Sequence, residues 1–262
     1  MARANRHYIK NCIWHITHRC HKREFLLKFR KDKKNWVNWL FEAKKRYGLS
    51  ILNFAVTSNH IHLLVIDTDK NAIPRSIQLI AGRTGREYNL RKKRKGAFWE
   101  DRYHATAVQD GHHLLRCLVY IDMNMVRAGV VEHPSGWEFC GYSEILDPPK
   151  RYTLIDYDKL ISLCGYFDND QFQSNYKSII DDEIQKDNLK RKAYWTESIA
   201  VGDKEFIDDI NMEFGALSRG RKIKSDNDKY LIQEEVNPYN GVFDAQKCNL
   251  RSNNSYFWRT FP

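Results

Sequence analysis

The chain has 262 residues, 42% of them hydrophobic and 13% aromatic, which is enough to bury a substantial core and excludes a disordered or fibrous protein. Its formal net charge of +10 is unevenly spread: residues 1–120 hold 25 Lys and Arg against 9 Asp and Glu, and the remainder hold 18 against 24. A basic first half beside an acidic second half points to a polyanion as the partner of the first.

All ten histidines lie between His7 and His133, so histidine chemistry belongs to the same half. No run approaches the roughly 18 apolar residues of a membrane span; the stretch 51–66 is broken by Asn53, Asn59, His60 and His62. The first thirty residues are basic but lack a long apolar segment, and the six cysteines form no CxxC pair. A soluble cytoplasmic protein with reduced thiols and no membrane partner is expected.

In chain order, Tyr8, Ile9 and residues 12–17 are rich in β-branched and aromatic types and predict a first strand. Trp36, Trp39, Leu40, Ala43 and Tyr47 recur at helical spacing and predict a helix over 32–47, stopped by Gly48. Two short strands, 51–56 and 60–66, follow, joined by Thr57, Ser58 and Asn59. A second helix over 74–90 runs into the cationic stretch Arg91, Lys92, Lys93, Arg94, Lys95. A loop and strand over 98–108 lead to a third helix, N-capped by Asp110 and extending from Gly111 to about Ala128, before Gly129.

Strand, helix, strand, strand, helix, strand is the split βαβ order, so the expected fold is α+β: a ferredoxin-like antiparallel sheet with helices on one face. The Pro148–Pro149 pair divides a first domain, residues 1–147, from a mainly helical extension over 148–217 and a polar, loosely ordered tail over 218–262.

Two anchors carry chemistry. On a strand, His60 and His62 share one face while Ile61, Leu63 and Val65 point to the other, which makes the imidazoles a natural pair of metal ligands. On the third helix, Leu114, Cys117, Leu118, Ile121 and Met125 form an apolar stripe. Arg116, Tyr120, Asn124 and Arg127 lie on a different face, with Tyr120 and Asn124 one above the other.

The run Ser58, Asn59, His60, Ile61, His62, Leu63, Leu64, followed about sixty residues on by Tyr120, Ile121, Asp122, Met123, Asn124, Met125, Val126, Arg127, Ala128, Gly129, resembles the HUH single-tyrosine transposases. Within them it is similar to the branch associated with repetitive extragenic palindromes (REP), relatives of the IS200/IS605 enzymes. The resemblance runs from about His7 to Tyr142 and includes Phe98, Trp99, Glu100, Asp101, Arg102 and Tyr103. Met125 departs from it, standing where the branch usually carries proline.

The resemblance implies an HUH nuclease fold in which Tyr120 is the nucleophile and His60, His62 and Asn124 hold a divalent metal, Mg2+ or Mn2+. It implies cleavage and rejoining of single-stranded or hairpin, REP-like palindromic DNA through a 5′-phosphotyrosine. Arg116 and Arg127 would stabilise charge at the phosphate. Phosphate contacts are expected from Arg91, Lys92, Lys93, Arg94, Lys95 and Arg102, with Trp99 and Tyr103 either as stacking surfaces for an unpaired base or as core residues. His15 is expected to pack or hydrogen-bond on the first strand, and His112 and His113 to face solvent. The protein would be a nucleoid-associated monomer or homodimer. A non-catalytic binder of palindromic DNA with the same fold is the alternative, and a metal-dependent hydrolase using water a third reading.

Overall fold

Strand alternation decides which residues the sheet buries on each side. The computed structural model describes residues 8–186, 190–215, 221–226 and 229–234. In chain order come β1 (Ile13–Arg19), α1 (Arg30–Tyr47), β2 (Ser50–Val56), β3 (His60–Ile66), α2 (Ala72–Arg91) and β4 (His104–Val108). The four strands pair antiparallel in the order β2-β3-β1-β4, the expected ferredoxin-like arrangement. Trp14 and Ile16 of β1, Ile61, Leu63 and Val65 of β3 and Ala107 of β4 face one way. Trp36, Leu40 and Ala43 of α1 and Ile73, Ile77 and Ile80 of α2 cover them. Helix α1 ends at Gly48, whose left-handed φ of 64° lets its N–H return to the Lys44 carbonyl.

The opposite face carries helices as well. There α3 (His112–Asp122) buries Leu114, Cys117, Leu118 and Ile121 with Ile13, Leu52, Leu64 and Ile66. The expected continuous helix to Ala128 is interrupted at Met123, and a four-residue helix, α4 (Asn124–Arg127), restarts the chain. The interruption occurs without a proline: Met125 is simply buried. Gly111, not Asp110, occupies the N-cap of α3, where no side chain caps the helix.

Beyond lie α5 (Tyr142–Leu146), α6 (Tyr157–Leu163), α7 (Asn169–Gln185), α8 (Tyr194–Glu197), β5 (Ala200–Gly202), α9 (Lys204–Phe214), β6 (Arg221–Asp226) and β7 (Lys229–Glu234). The chain after Pro148–Pro149 shares the core of the chain before it: Leu160, Phe172, Tyr176, Ile180 and Trp195 join the cluster that holds Leu118 and Ile121. Two expectations are corrected. The stretch read as mainly helical also contains β5, which pairs in parallel with β4. The stretch read as a loose tail supplies β6 and β7, and burial of Leu231 and Ile232 anchors the latter. These strands are three to six residues long and too short to show a period. They form because the open edge of β4 offers unpaired backbone groups. The full order is β2-β3-β1-β4-β5-β7-β6. The remainder of the expected tail lies outside the described residues.

The other edge, β2, is covered by connecting chain: Val56 N–H bonds the Phe139 carbonyl, Gly141 N–H the Phe54 carbonyl and Asp156 N–H the Ile51 carbonyl, each at 2.8 Å. Cys12, Cys20, Cys117, Cys140 and Cys164 are buried and free; Cys248 lies outside the described residues. A buried polar cluster joins the extension to α3. Asp122 accepts from Asn53 Nδ2 (3.1 Å) and from Tyr176 Oη of α7 (2.5 Å), and burial pushes its carboxyl up to about 7. Gly141 is required beside this cluster, because a Cβ there would collide with Asn53 Oδ1. Tyr176→Phe keeps the ring packing but leaves an Asp122 oxygen without its donor, so urea denaturation should show a loss of about 1–3 kcal/mol; an unchanged midpoint would contradict this role.

Candidate active site

The α3 side of the sheet is apolar at one end and polar at the other. The alternation that turns Ile13, Leu64 and Ile66 toward α3 turns His15, Thr17, His60, His62, His104 and Thr106 the same way. Register sets Thr17 opposite both His62 and His104, His15 opposite Thr106, and Arg19 opposite His60.

Each imidazole is held by a specific partner. His60 Nδ1 lies 2.7 Å from Asn59 Oδ1 and 3.0 Å from Thr57 Oγ1, whose own proton goes to the His60 carbonyl. Both partners accept, so His60 carries its proton on Nδ1 and leaves Nε2 as a lone pair. His62 is fully buried, with Nδ1 2.9 Å from His15 Nε2 and Nε2 3.0 Å from Asn124 Nδ2. Burial holds the imidazoles neutral: His15 is lowered to about 3, His60 to about 4, and His62 well below the usual histidine value. The positive charges of Arg127 and of Arg191, which precedes α8, lower His60 and His62 further.

Tyr120 reaches this cluster from α3. Its ring lies 5.9 Å from that of His62 and 6.1 Å from that of His15, edge-on to both, and 6.3 Å from the Trp195 ring of α8. The Arg127 guanidinium sits over the Tyr120 ring at 4.3 Å, and its Nη2 donates to the Tyr120 carbonyl at 2.6 Å. The break at Met123 thus turns α4 so that Asn124 meets His62 and Arg127 covers Tyr120. Among the described residues no group of three or more His, Cys, Asp or Glu is placed to hold a metal. The candidate donors are His60 Nε2, His62 Nε2 and the Asn124 amide. Two neutral imidazoles with Nδ1 engaged elsewhere, beside an amide able to turn its oxygen inward, fit a divalent ion.

The family model for IS200-like transposases matches residues 8–124, the stretch that contains both histidines, the tyrosine and the asparagine. No curated protein has a sequence that matches the chain. Among solved structures, a REP-associated tyrosine transposase bound to a REP hairpin is 20% identical, with a TM-score of 0.46, covering 56% of this chain and 87% of that one. A transposase structure from Deinococcus radiodurans R1 is 17% identical, with a TM-score of 0.31, covering 39% and 83%. No helix among the described residues is long and apolar enough to cross a membrane.

The other residues singled out from the sequence divide. Arg116 is exposed one turn before Tyr120, and Arg102 is exposed on the loop entering β4, at the sheet end where Arg19 faces His60. The cationic run at the end of α2 is not a uniform patch. Arg91 pairs with the buried Asp32 of α1, and Arg94 bonds the Ala97 carbonyl and pairs with Glu24. Lys92 lies over the Phe29 ring, and Lys93 and Lys95 are exposed. Tyr103 is buried, and the Trp99 ring stacks on His18 at 4.1 Å, so these aromatics serve the core more than an open stacking platform. His113 is buried instead of facing solvent.

The expectation that His15 packs or hydrogen-bonds on the first strand holds, but its partners were not foreseen, and Arg191 and the backbone of α8 were missed. The parity of β1 carried a signal for His15, since it shares a face with Ile13 and Thr17, but only the β1–β3 register brings it to His62. If Arg91 and Arg94 are structural, Arg91→Gln should cost about 1–3 kcal/mol by leaving Asp32 unpaired. Lys93→Gln and Lys95→Gln should stay within about 0.5 kcal/mol of the parent. Equal urea midpoints for all three would contradict that division.

Proposed function

We propose that the transposase domain cleaves and rejoins single-stranded or hairpin DNA by forming a 5′-phosphotyrosine on Tyr120, with Mg2+ or Mn2+ held by His60, His62 and Asn124. The observation that carries this reading is the meeting of Tyr120 and Asn124 with two neutral imidazoles, beneath a guanidinium that lies over the tyrosine ring. A bound divalent ion supplies Lewis-acid polarisation of the scissile phosphate and fixes its orientation.

The residues of the chain do the rest. Tyr120 Oη forms a bond to phosphorus and the bond to the 3′-oxygen breaks. The 5′ end stays on the protein and the 3′-oxygen leaves as a hydroxyl. Because the phosphotyrosine conserves the phosphodiester bond, attack by a 3′-hydroxyl rejoins the strand. The Arg127 guanidinium, which lies over the Tyr120 ring, would stabilise the negative charge that develops during attack. Arg116 and Arg102 contact flanking phosphates, with Lys92, Lys93 and Lys95 extending the basic track; Arg91 and Arg94 hold the loop that presents them. The palindromic, REP-like form of the substrate rests on the resemblance of the histidine and tyrosine motifs. A duplex hides its bases and resists the distortion that in-line attack by a side chain requires, which favours single strands beside a hairpin.

With a panel of labelled hairpin oligonucleotides and Mn2+, the parent protein should form an adduct that survives a denaturing gel. Tyr120→Phe should abolish the adduct and leave hairpin binding within about twofold; cleavage retained by this variant would instead favour a hydrolase using water. Replacing both His60 and His62 with alanine should remove Mn2+ binding in calorimetry, and unchanged binding would refute the ligand set.

A further inference from the structure

Helix α8 lies outside the family-matched residues, yet its backbone reaches the transposase site. Two of its closing carbonyls satisfy the polar strip of the sheet. Trp195 O accepts from His15 Nδ1 at 2.8 Å and from Thr106 Oγ1 at 3.3 Å. Ser198 O bonds Thr106 Oγ1 at 2.7 Å and His104 Nε2 at 2.9 Å. The bond to His15 has a consequence for His62. A carbonyl oxygen only accepts, so His15 carries its proton on Nδ1 and its Nε2 is a lone pair. That lone pair faces His62 Nδ1 at 2.9 Å, so His62 must donate from Nδ1, and its own lone pair falls on Nε2, toward Asn124.

We infer that the Trp195 carbonyl, acting through His15, fixes the tautomer of His62 so that Nε2 is presented to the site. His15 is thus a positioning residue, and the segment 190–198 completes a site whose histidines, Tyr120 and Asn124 all lie within the matched residues 8–124. A ligating histidine commonly has its second nitrogen oriented by a carbonyl or carboxylate; here an imidazole is interposed, because β1 lies between His62 and the backbone of α8. His60 has its own acceptors in Asn59 and Thr57, so the two histidines are oriented independently, one by the β2–β3 turn and one by the extension. The inference rests on the proposed role of His62 as a ligand only for its effect on metal binding; the tautomer itself does not depend on that role.

The test uses the full chain, metal-free, with 15N-labelled histidine and long-range 1H–15N correlation to read each ring's protonated nitrogen. In the parent, His62 should be protonated on Nδ1. His15→Leu removes the acceptor while Trp195 O keeps Thr106; His62 should then shift toward the Nε2–H form, and Mn2+ should bind about 10- to 100-fold more weakly by calorimetry. His15→Gln offers an N–H to Trp195 and an oxygen to His62, and should restore both readouts. A parent His62 protonated on Nε2 overturns the inference whether or not any variant folds. So does a His15→Leu protein in which His62 keeps its Nδ1 proton. If the tautomer behaves as stated but Mn2+ binding is absent, or survives His62→Ala, the ligand reading fails and the relay stands.

Discussion

The rest of the structure depends on one constraint: polar side chains that a strand turns into a dry interior must find partners there. Turning Ile13, Leu64 and Ile66 toward α3 unavoidably turns His15, His60 and His62 the same way, because the side-chain period of a strand is two. An unpartnered imidazole in that position would cost about as much as a lost buried hydrogen bond, roughly 1–3 kcal/mol each. The chain meets the requirement with pieces from three directions: the β2–β3 turn for His60, α4 for His62 and the backbone of α8 for His15. Satisfying the imidazoles and building the site are therefore one event, and Tyr120 arrives because α3 carries it and runs directly into α4, which carries Asn124.

This view assigns the extension a purpose that its acidic composition hides. Its helices bury Phe172, Tyr176, Ile180 and Trp195 against α3, and Tyr176 hydrogen-bonds the buried Asp122 between Tyr120 and Asn124. At about 1.5–3 kcal/mol per large apolar side chain, this contact outweighs any exposed ion pair, whose median worth is about 0–1 kcal/mol. The helix bearing the candidate nucleophile is thus clamped between the sheet and α7.

Much of this was legible in the sequence, and the failures have a common cause. Strand β3 spans the expected residues 60–66, α1 stops at Gly48 as its periodicity requires, and His60 and His62 share a face for the reason their spacing gives. These are local consequences of dihedral geometry. What escaped depends on contacts distant in sequence. Arg91 lies 59 residues from Asp32, His15 is 47 residues from His62, and Trp195 is 180 residues from His15. Strand β5, three residues long, exists only because β4 presents an edge to it. The interruption of α3 at Met123 likewise has no breaker residue in the sequence; its Tyr120 carbonyl is taken by a guanidinium seven residues on.

The central claim is that Tyr120, among the 14 tyrosines of the chain, is the residue that becomes joined to DNA. Its most direct test is to incubate the parent protein with a hairpin oligonucleotide bearing a single-stranded flank in the presence of Mn2+, digest the products with protease and nuclease, and map the nucleotide-bearing peptide by mass spectrometry. The account predicts one modified peptide, carrying a 5′-nucleotide phosphate on Tyr120. Modification at another residue such as Tyr88 or Tyr103, or cleavage of the strand with no protein-linked nucleotide, would contradict it.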